Sequence, residues 1–111
     1  CANKIVIGKN VLIASDVFII DYNHGCNPLT DNYLENPLES SGGIIIEDGC
    51  WIGNNCIILP DVKIGKKCII GAGAVVTRDI PPYSMAVGNP ARVIKQYDFE
   101  TNCWISKELG R

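Results

Sequence analysis

The sequence predicts an all-β chain, a parallel β-helix built from six-residue repeats, and three observations carry that reading. Every sixth residue gives Cys1, Ile7, Ile13 and Ile19, then after a break Ile46, Ile52, Ile58, Ile64, Ile70 and Val76. Nine of these ten are Ile or Val, so the position points inward. Four residues further on come Ile5, Val11, Val17, Asn23, Cys50, Cys56, Val62, Cys68, Ala74 and Ile80, a second and tighter inward slot. Between the two, seven of ten positions are Gly, Asn or Asp, including Asn10, Asp16, Gly49, Asn55, Asp61 and Gly73. Those residues tolerate the left-handed backbone of a tight corner. Each hexad is therefore a short strand and a corner. Three hexads make one triangular coil, stacked on the next at a strand spacing of about 4.8 Å. A period of six is neither the 3.6 of a helix nor the variable runs of a sandwich.

Taken in order, residues 1–24 hold four hexads. Residues 25–45 break the phase with Gly25, Pro28, Pro37, Gly42 and Gly43, which predicts a protruding loop, and long loops in compact domains commonly serve function. Residues 46–81 hold six more hexads, and Pro81-Pro82 is expected to end the pattern. The tail, 82–111, is expected to cap the column with a short strand, a helix or both. The 111 residues suit one domain. The chain starts at Cys1, already inside a repeat, so an N-terminal part of the parent protein is expected to be missing.

The net charge of −2 gives no basic footprint for nucleic acid, and no apolar run reaches the length of a membrane span. Three of the six cysteines, Cys50, Cys56 and Cys68, occupy the small inward slot. Stacked side chains run parallel, which suits a disulfide poorly, so they read as small buried hydrophobes in a reducing, cytoplasmic setting.

The one polar residue in an inward slot is Asn23, and the only histidine, His24, follows it where the coil gives way to the loop. A titratable side chain at the mouth of a loop on a rigid scaffold is a good place for a site. Asp21 is either a turn residue or a partner that orients the imidazole, and a Cys26–His24 nucleophilic pair rests on nearness in sequence alone. One histidine cannot supply a three-His metal site, so hexapeptide-repeat carbonic anhydrase chemistry is nearly excluded and no metal is required.

The stretch Asp21-Tyr22-Asn23-His24-Gly25, the Pro-containing loop and Ile46-Glu47-Asp48-Gly49-Cys50-Trp51-Ile52-Gly53 resemble the hexapeptide-repeat O-acetyltransferases, including the maltose, galactoside and polysaccharide sugar acetyltransferases. Ile70-Gly71-Ala72-Gly73-Ala74-Val75-Val76-Thr77-Arg78-Asp79-Ile80-Pro81 is similar to that family's final coil, and Gly88-Asn89-Pro90-Ala91-Arg92-Val93-Ile94-Lys95 to its C-terminal signature. The resemblance implies a left-handed winding, against the usual crossover rule. It implies a homotrimer with active sites between subunits, acetyl-CoA as co-substrate, and His24 with Asn23 as catalytic residues, His24 being the general base. A backbone N–H near Gly53 or Asn54 would stabilise the oxyanion. Asn54 and Ala72 match positions whose backbone meets the pantetheine arm, and Gly53 and Gly71 would leave backbone open to approach. Thr77 and Arg78, with Arg92 and Lys95 following, match positions nearest the adenosine phosphates. Trp51 matches a residue near the active site, and equally suits packing against Ile69. The implied function is transfer of an acetyl group to a hydroxyl of a sugar or similar small acceptor. An N-acyltransferase acting on an amino sugar and a non-catalytic trimeric module are the alternatives.

Overall fold

The computed structural model describes residues 4–20, 23–24, 28–29, 32, 38–39 and 43–106, with the backbone alone at 23–24 and 38–39. The hexads fold as expected. The first coil contributes β1 (Ile5–Ile7), β2 (Leu12–Ile13) and β3 (Phe18–Ile19). Two short strands follow, β4 (Asn23–His24) and β5 (Leu38–Glu39). The second coil contributes β6 (Ile44–Ile46), β7 (Trp51–Ile52) and β8 (Ile57–Ile58), and the third β9 (Lys63–Ile64), β10 (Ile69–Ile70) and β11 (Val75–Val76). The chain ends in β12 (Ser84–Val87), β13 (Arg92–Asp98) and β14 (Cys103–Ser106).

The strands stack in parallel into three faces. The first is β1-β6-β9, the second β2-β7-β10-β12, and the third β3-β8-β11. Ile46 lies opposite Ile64, the 18-residue step of a three-hexad coil, whereas Ile7 lies opposite Ile46, a step of 39. The loop between β3 and β6 thus adds residues without disturbing the register on either side. The corners confirm the backbone argument: Asn10, Asp16, Gly49, Asn55, Asp61, Lys67 and Gly73 all have positive φ. Lys67 is the exception to the residue preference, and its stem lies over the bare Gly49 corner one coil above.

Inside, Ile46, Ile52, Ile58, Ile64 and Val76 are fully buried. Filling a column with such side chains stabilises each by roughly 1.5–3 kcal/mol relative to exposure. The buried thiols have a further task. Cys50 Sγ donates to Gly65 O at 3.0 Å, Cys56 Sγ to Gly71 O at 3.1 Å and Cys68 Sγ to Pro81 O at 3.0 Å. Each thiol satisfies a corner carbonyl one coil on. The hydrogen bond to Cys50, and then burial, hold the Cys68 thiol well above its ordinary range. Cys50, Cys56 and Cys68 are all free, as expected.

Three expectations need correction. The protruding loop does not reach residue 45, because β6 begins at Ile44, whose N–H donates to Lys4 O. Its base is closed by an antiparallel pairing of β4 with β5. The coil pattern also does not end at Pro81-Pro82: Ile80 bridges Ile64 in parallel and β12 pairs in parallel with β10. The offset here is 16 residues, since Ile69 lies opposite Met85, so the corner at Thr77–Asp79 is two residues shorter than its counterparts. Ile80 therefore takes the first inward position rather than the second, and Ser84 fills the small slot, fully buried and receiving a hydrogen bond from Gln96. Among the described residues the tail holds strands and turns and no helix, as one of the expected forms of the cap required: β13 and β14 continue the second face in antiparallel fashion.

Candidate active site

The loop mouth is where β4 leaves the first coil. Asn23 is paired with Glu39 and His24 with Leu38 along the backbone, and the side chains of both catalytic candidates lie outside the described residues. Asp21 and Cys26 lie outside them altogether.

The second element is the corner between the second and third faces. Asn54 Oδ1 accepts a hydrogen bond from Ser15 N–H of the coil above at 2.9 Å, and Asn54 O accepts one from Gly73 N–H of the coil below at 2.8 Å. Asn54 and Ala72 are both exposed here. Gly53 behaves differently from the sequence reading. Its N–H is committed to Ile70 O at 2.8 Å, and a Cβ on Gly53 would meet Ala72 N at 2.7 Å. A Cβ on Gly71 would meet Val87 Cγ1 at 2.6 Å. These glycines let successive coils approach one another; they do not leave backbone open. Of the two oxyanion candidates, the Gly53 N–H is spent.

The third element is a cleft of about 240 Å3 under the shortened corner, between Thr77–Pro81 and the turn at Pro90–Val93. The Asn89–Pro90 peptide bond in this turn is cis. Thr77, Arg78 and Arg92, far apart in sequence, line this one cleft. All three are exposed, which keeps the guanidinium donors available to an anion. Lys95 does not line it. It stands on β13 opposite Met85 and Ser106, on the second face.

Trp51 stacks between Leu12 and Ile69 on the second face, as one of its two readings required, and remains half exposed. Below it lies a recess of about 350 Å3 that the sequence reading missed, walled by Trp51, Ile69, Tyr83, Tyr97 and Trp104 with Gly49 and Lys67. Edge-to-face contacts of Tyr97 with Phe99 and Trp104, at 5.1 and 5.5 Å between centroids, set its lower wall. Among the described residues no three His, Cys, Asp or Glu side chains gather to hold a metal, and no helix is long and apolar enough to cross a membrane.

Residues 43–78 match the family described as bacterial transferase hexapeptide (six repeats). An Escherichia coli (strain K12) protein provisionally described as the lipopolysaccharide biosynthesis O-acetyl transferase WbbJ is 36% identical over 107 residues, covering 91% of this chain and 55% of that protein. A galactoside acetyltransferase solved in complex with coenzyme A superposes with a TM-score of 0.75 at 36% identity, over 96% of this chain and 53% of the other. A maltose O-acetyltransferase from Clostridium difficile 630 gives 0.74 at 44% identity, over 86% and 49%. The chain spans about half the length of the curated relatives it matches. With these neighbours the column is a left-handed parallel β-helix.

Proposed function

Because residues 43–78 match the bacterial transferase hexapeptide family, we propose that the chain moves an acetyl group from acetyl-CoA to a hydroxyl of a small acceptor, a sugar by analogy with the galactoside and maltose enzymes it resembles. The observation that carries this reading is the cleft in which Thr77, Arg78 and Arg92 converge. Two guanidinium groups beside one opening suit a ligand with several phosphates. The exposed Asn54–Ala72 corner stands on the coils above, at the level an acyl-bearing arm would reach if it ran along the column.

In this reading the His24 imidazole accepts the proton of the acceptor hydroxyl as its oxygen attacks the thioester carbonyl carbon. The tetrahedral intermediate collapses, the C–S bond breaks, and the imidazolium returns the proton to the departing thiolate. Asn23 adjoins the base, and the Asn54 N–H faces the developing oxyanion. Holding both substrates at once supplies much of the remaining advantage. The assembly is a homotrimer with each site between subunits, working in the cytoplasm, and no metal takes part.

Thermal denaturation with CoA and acetyl-CoA tests the donor half, because a ligand that binds only the folded state raises Tm with occupancy. A clear rise, weakened in Arg78→Ala, is the expected result. A folded protein that shows no rise at millimolar ligand contradicts it and favours a non-catalytic module.

A further inference from the structure

The left-handed corners follow one rule with two exceptions. Among the described residues seven other than glycine have positive φ, and five of them are Asn or Asp. The exceptions are Lys67, at φ 58°, and Tyr83, at φ 56°. A long or aromatic side chain is uncommon in that conformation and costs free energy to hold there. The backbone enforces it: Lys67 N–H donates to Asp48 O at 3.0 Å, Tyr83 N–H to Lys66 O at 2.8 Å, and Tyr83 O accepts from Tyr97 N–H at 2.9 Å. The register sets Tyr83 directly below Lys67, at the corner between the first and second faces, and both line the aromatic recess. Side chains kept at a backbone cost point to a role for those side chains.

The rest of the recess agrees. Gly49 stands directly above Lys67, and a Cβ there would meet the Lys67 stem at 2.7 Å and its Nζ at 3.0 Å. The bare corner lets the ammonium lie over the upper rim. Among the described residues no carboxylate pairs with it: Glu47 is turned to Lys63, and Asp98 to its own turn, where it accepts from Glu100 N–H and the Thr101 hydroxyl. Trp51, Tyr83, Tyr97 and Trp104 form the walls, with Tyr83 and Tyr97 held edge-to-face on Phe99 at 4.8 and 5.1 Å. Such rings offer flat apolar faces with a hydroxyl or N–H at the tip. A volume of about 350 Å3 is at the lower end for small-molecule sites, room for a single ring. One ammonium, against the two guanidinium groups of the other cleft, suits a single negative charge. Trp51 is three residues before Asn54, a span of at most about 11 Å along the chain.

We propose that the recess is a saccharide subsite separate from the donor cleft: it holds a pyranose ring whose apolar face packs on the tryptophan and tyrosine rings and whose ring-edge carboxylate pairs with Lys67. The ligand class is a uronic-acid unit. Its place beside Trp51 makes it the neighbour of the ring that is acetylated, within one saccharide acceptor. That acceptor role rests on the transfer reading above; the binding itself does not.

Trp51 and Trp104 are the two tryptophans of the chain, so intrinsic fluorescence reports occupancy of the recess. The experiment titrates methyl glucuronoside, methyl glucoside and phenylacetate into wild type, Lys67→Asn, Lys67→Arg and Trp104→Leu, and records the Tm of each protein with and without CoA. We expect the glucuronoside to change the emission saturably at millimolar concentration, and the glucoside to bind about fivefold more weakly, the effect of one exposed ion pair. Lys67→Asn abolishes that preference and melts no lower than wild type, because Asn accepts the left-handed corner. Lys67→Arg keeps the preference, and Trp104→Leu weakens both sugars. Emission that neither sugar changes, equal binding of the two by wild type, or a preference that survives Lys67→Asn overturns the proposal. So does phenylacetate binding more tightly than the glucuronoside, which gives the recess to aromatic acids. A Lys67→Asn protein less stable than wild type also overturns it, since the corner then carries no cost for a ligand to explain. A wild type that binds the glucuronoside without any rise in Tm from CoA supports the site and contradicts the transfer reading, whereas a response to CoA without sugar binding contradicts this inference alone.

Discussion

The first and second coils are written in the same six-residue pattern, yet Ile7 is 45% exposed where Ile46, paired with it, is completely buried. The same holds around the column: Ile5, Val11, Ile13, Val17 and Ile19 are partly buried, while their partners in the second coil are closed over. The second coil lies between two described coils and the first against one. In a solenoid a residue's burial is set by its neighbours along the axis, not by its own hexad. The difference also divides the proposed chemistry. The candidate base extends from the less buried coil, and the candidate donor residues stand on the fully packed coils, apart from Arg92, which the tail strand β13 brings to the same cleft.

Four predictions bear on that division, from the largest effect to the smallest. His24→Ala is expected to lower kcat by about 10²–10⁴-fold, the usual contribution of a positioned base, while acetyl-CoA binding and Tm stay as in wild type. Loss of CoA binding in that variant would erase the division. Ile64→Ala, in the closed part of the column, is expected to cost about 2–5 kcal/mol in chemical denaturation, and Ile13→Ala roughly half as much, because a partly exposed site leaves no sealed cavity. Equal costs would mean that the first coil is packed as tightly as the others. Gly53→Ala forces a methyl group against the Ala72 backbone, for a cost of about 1–3 kcal/mol and a weaker response to CoA. Asp48→Ala removes the clamp on Lys9 N–H and is expected to cost about 1 kcal/mol, with Asp48→Asn close to wild type because the acceptor oxygen remains. A destabilised Asp48→Asn would show that charge, not the hydrogen bond, matters there.

Much of this architecture was legible because a hexad repeat has a fixed phase. The inward Ile column, the small Cys slot and the positive-φ corners each recur often enough to be read without coordinates. The shortened corner at Thr77–Asp79 was not legible, since Ile80 satisfies the pattern in either phase; only its pairing with Ile64 reveals the two-residue slip. That slip makes the cleft. Gly53 and Gly71 were read as openings for a ligand, but what fills the space beside a glycine depends on the adjoining coil, and here it is Ala72 and Val87. The aromatic recess depends on Tyr97 and Trp104 folding back beside Trp51, a long-range pairing that no local pattern announces. Thr77, Arg78 and Arg92 were named from the resemblance, and their convergence on one cleft is what the fold adds.

The division of labour between the coils is tested most directly by titrating acetyl-CoA into wild type, Arg78→Ala and His24→Ala calorimetrically, with transfer to a sugar hydroxyl followed on the same samples. The account predicts that His24→Ala binds acetyl-CoA like wild type but transfers almost nothing, and that Arg78→Ala binds it several-fold more weakly. Binding that survives Arg78→Ala unchanged, or that is lost with His24, would contradict it.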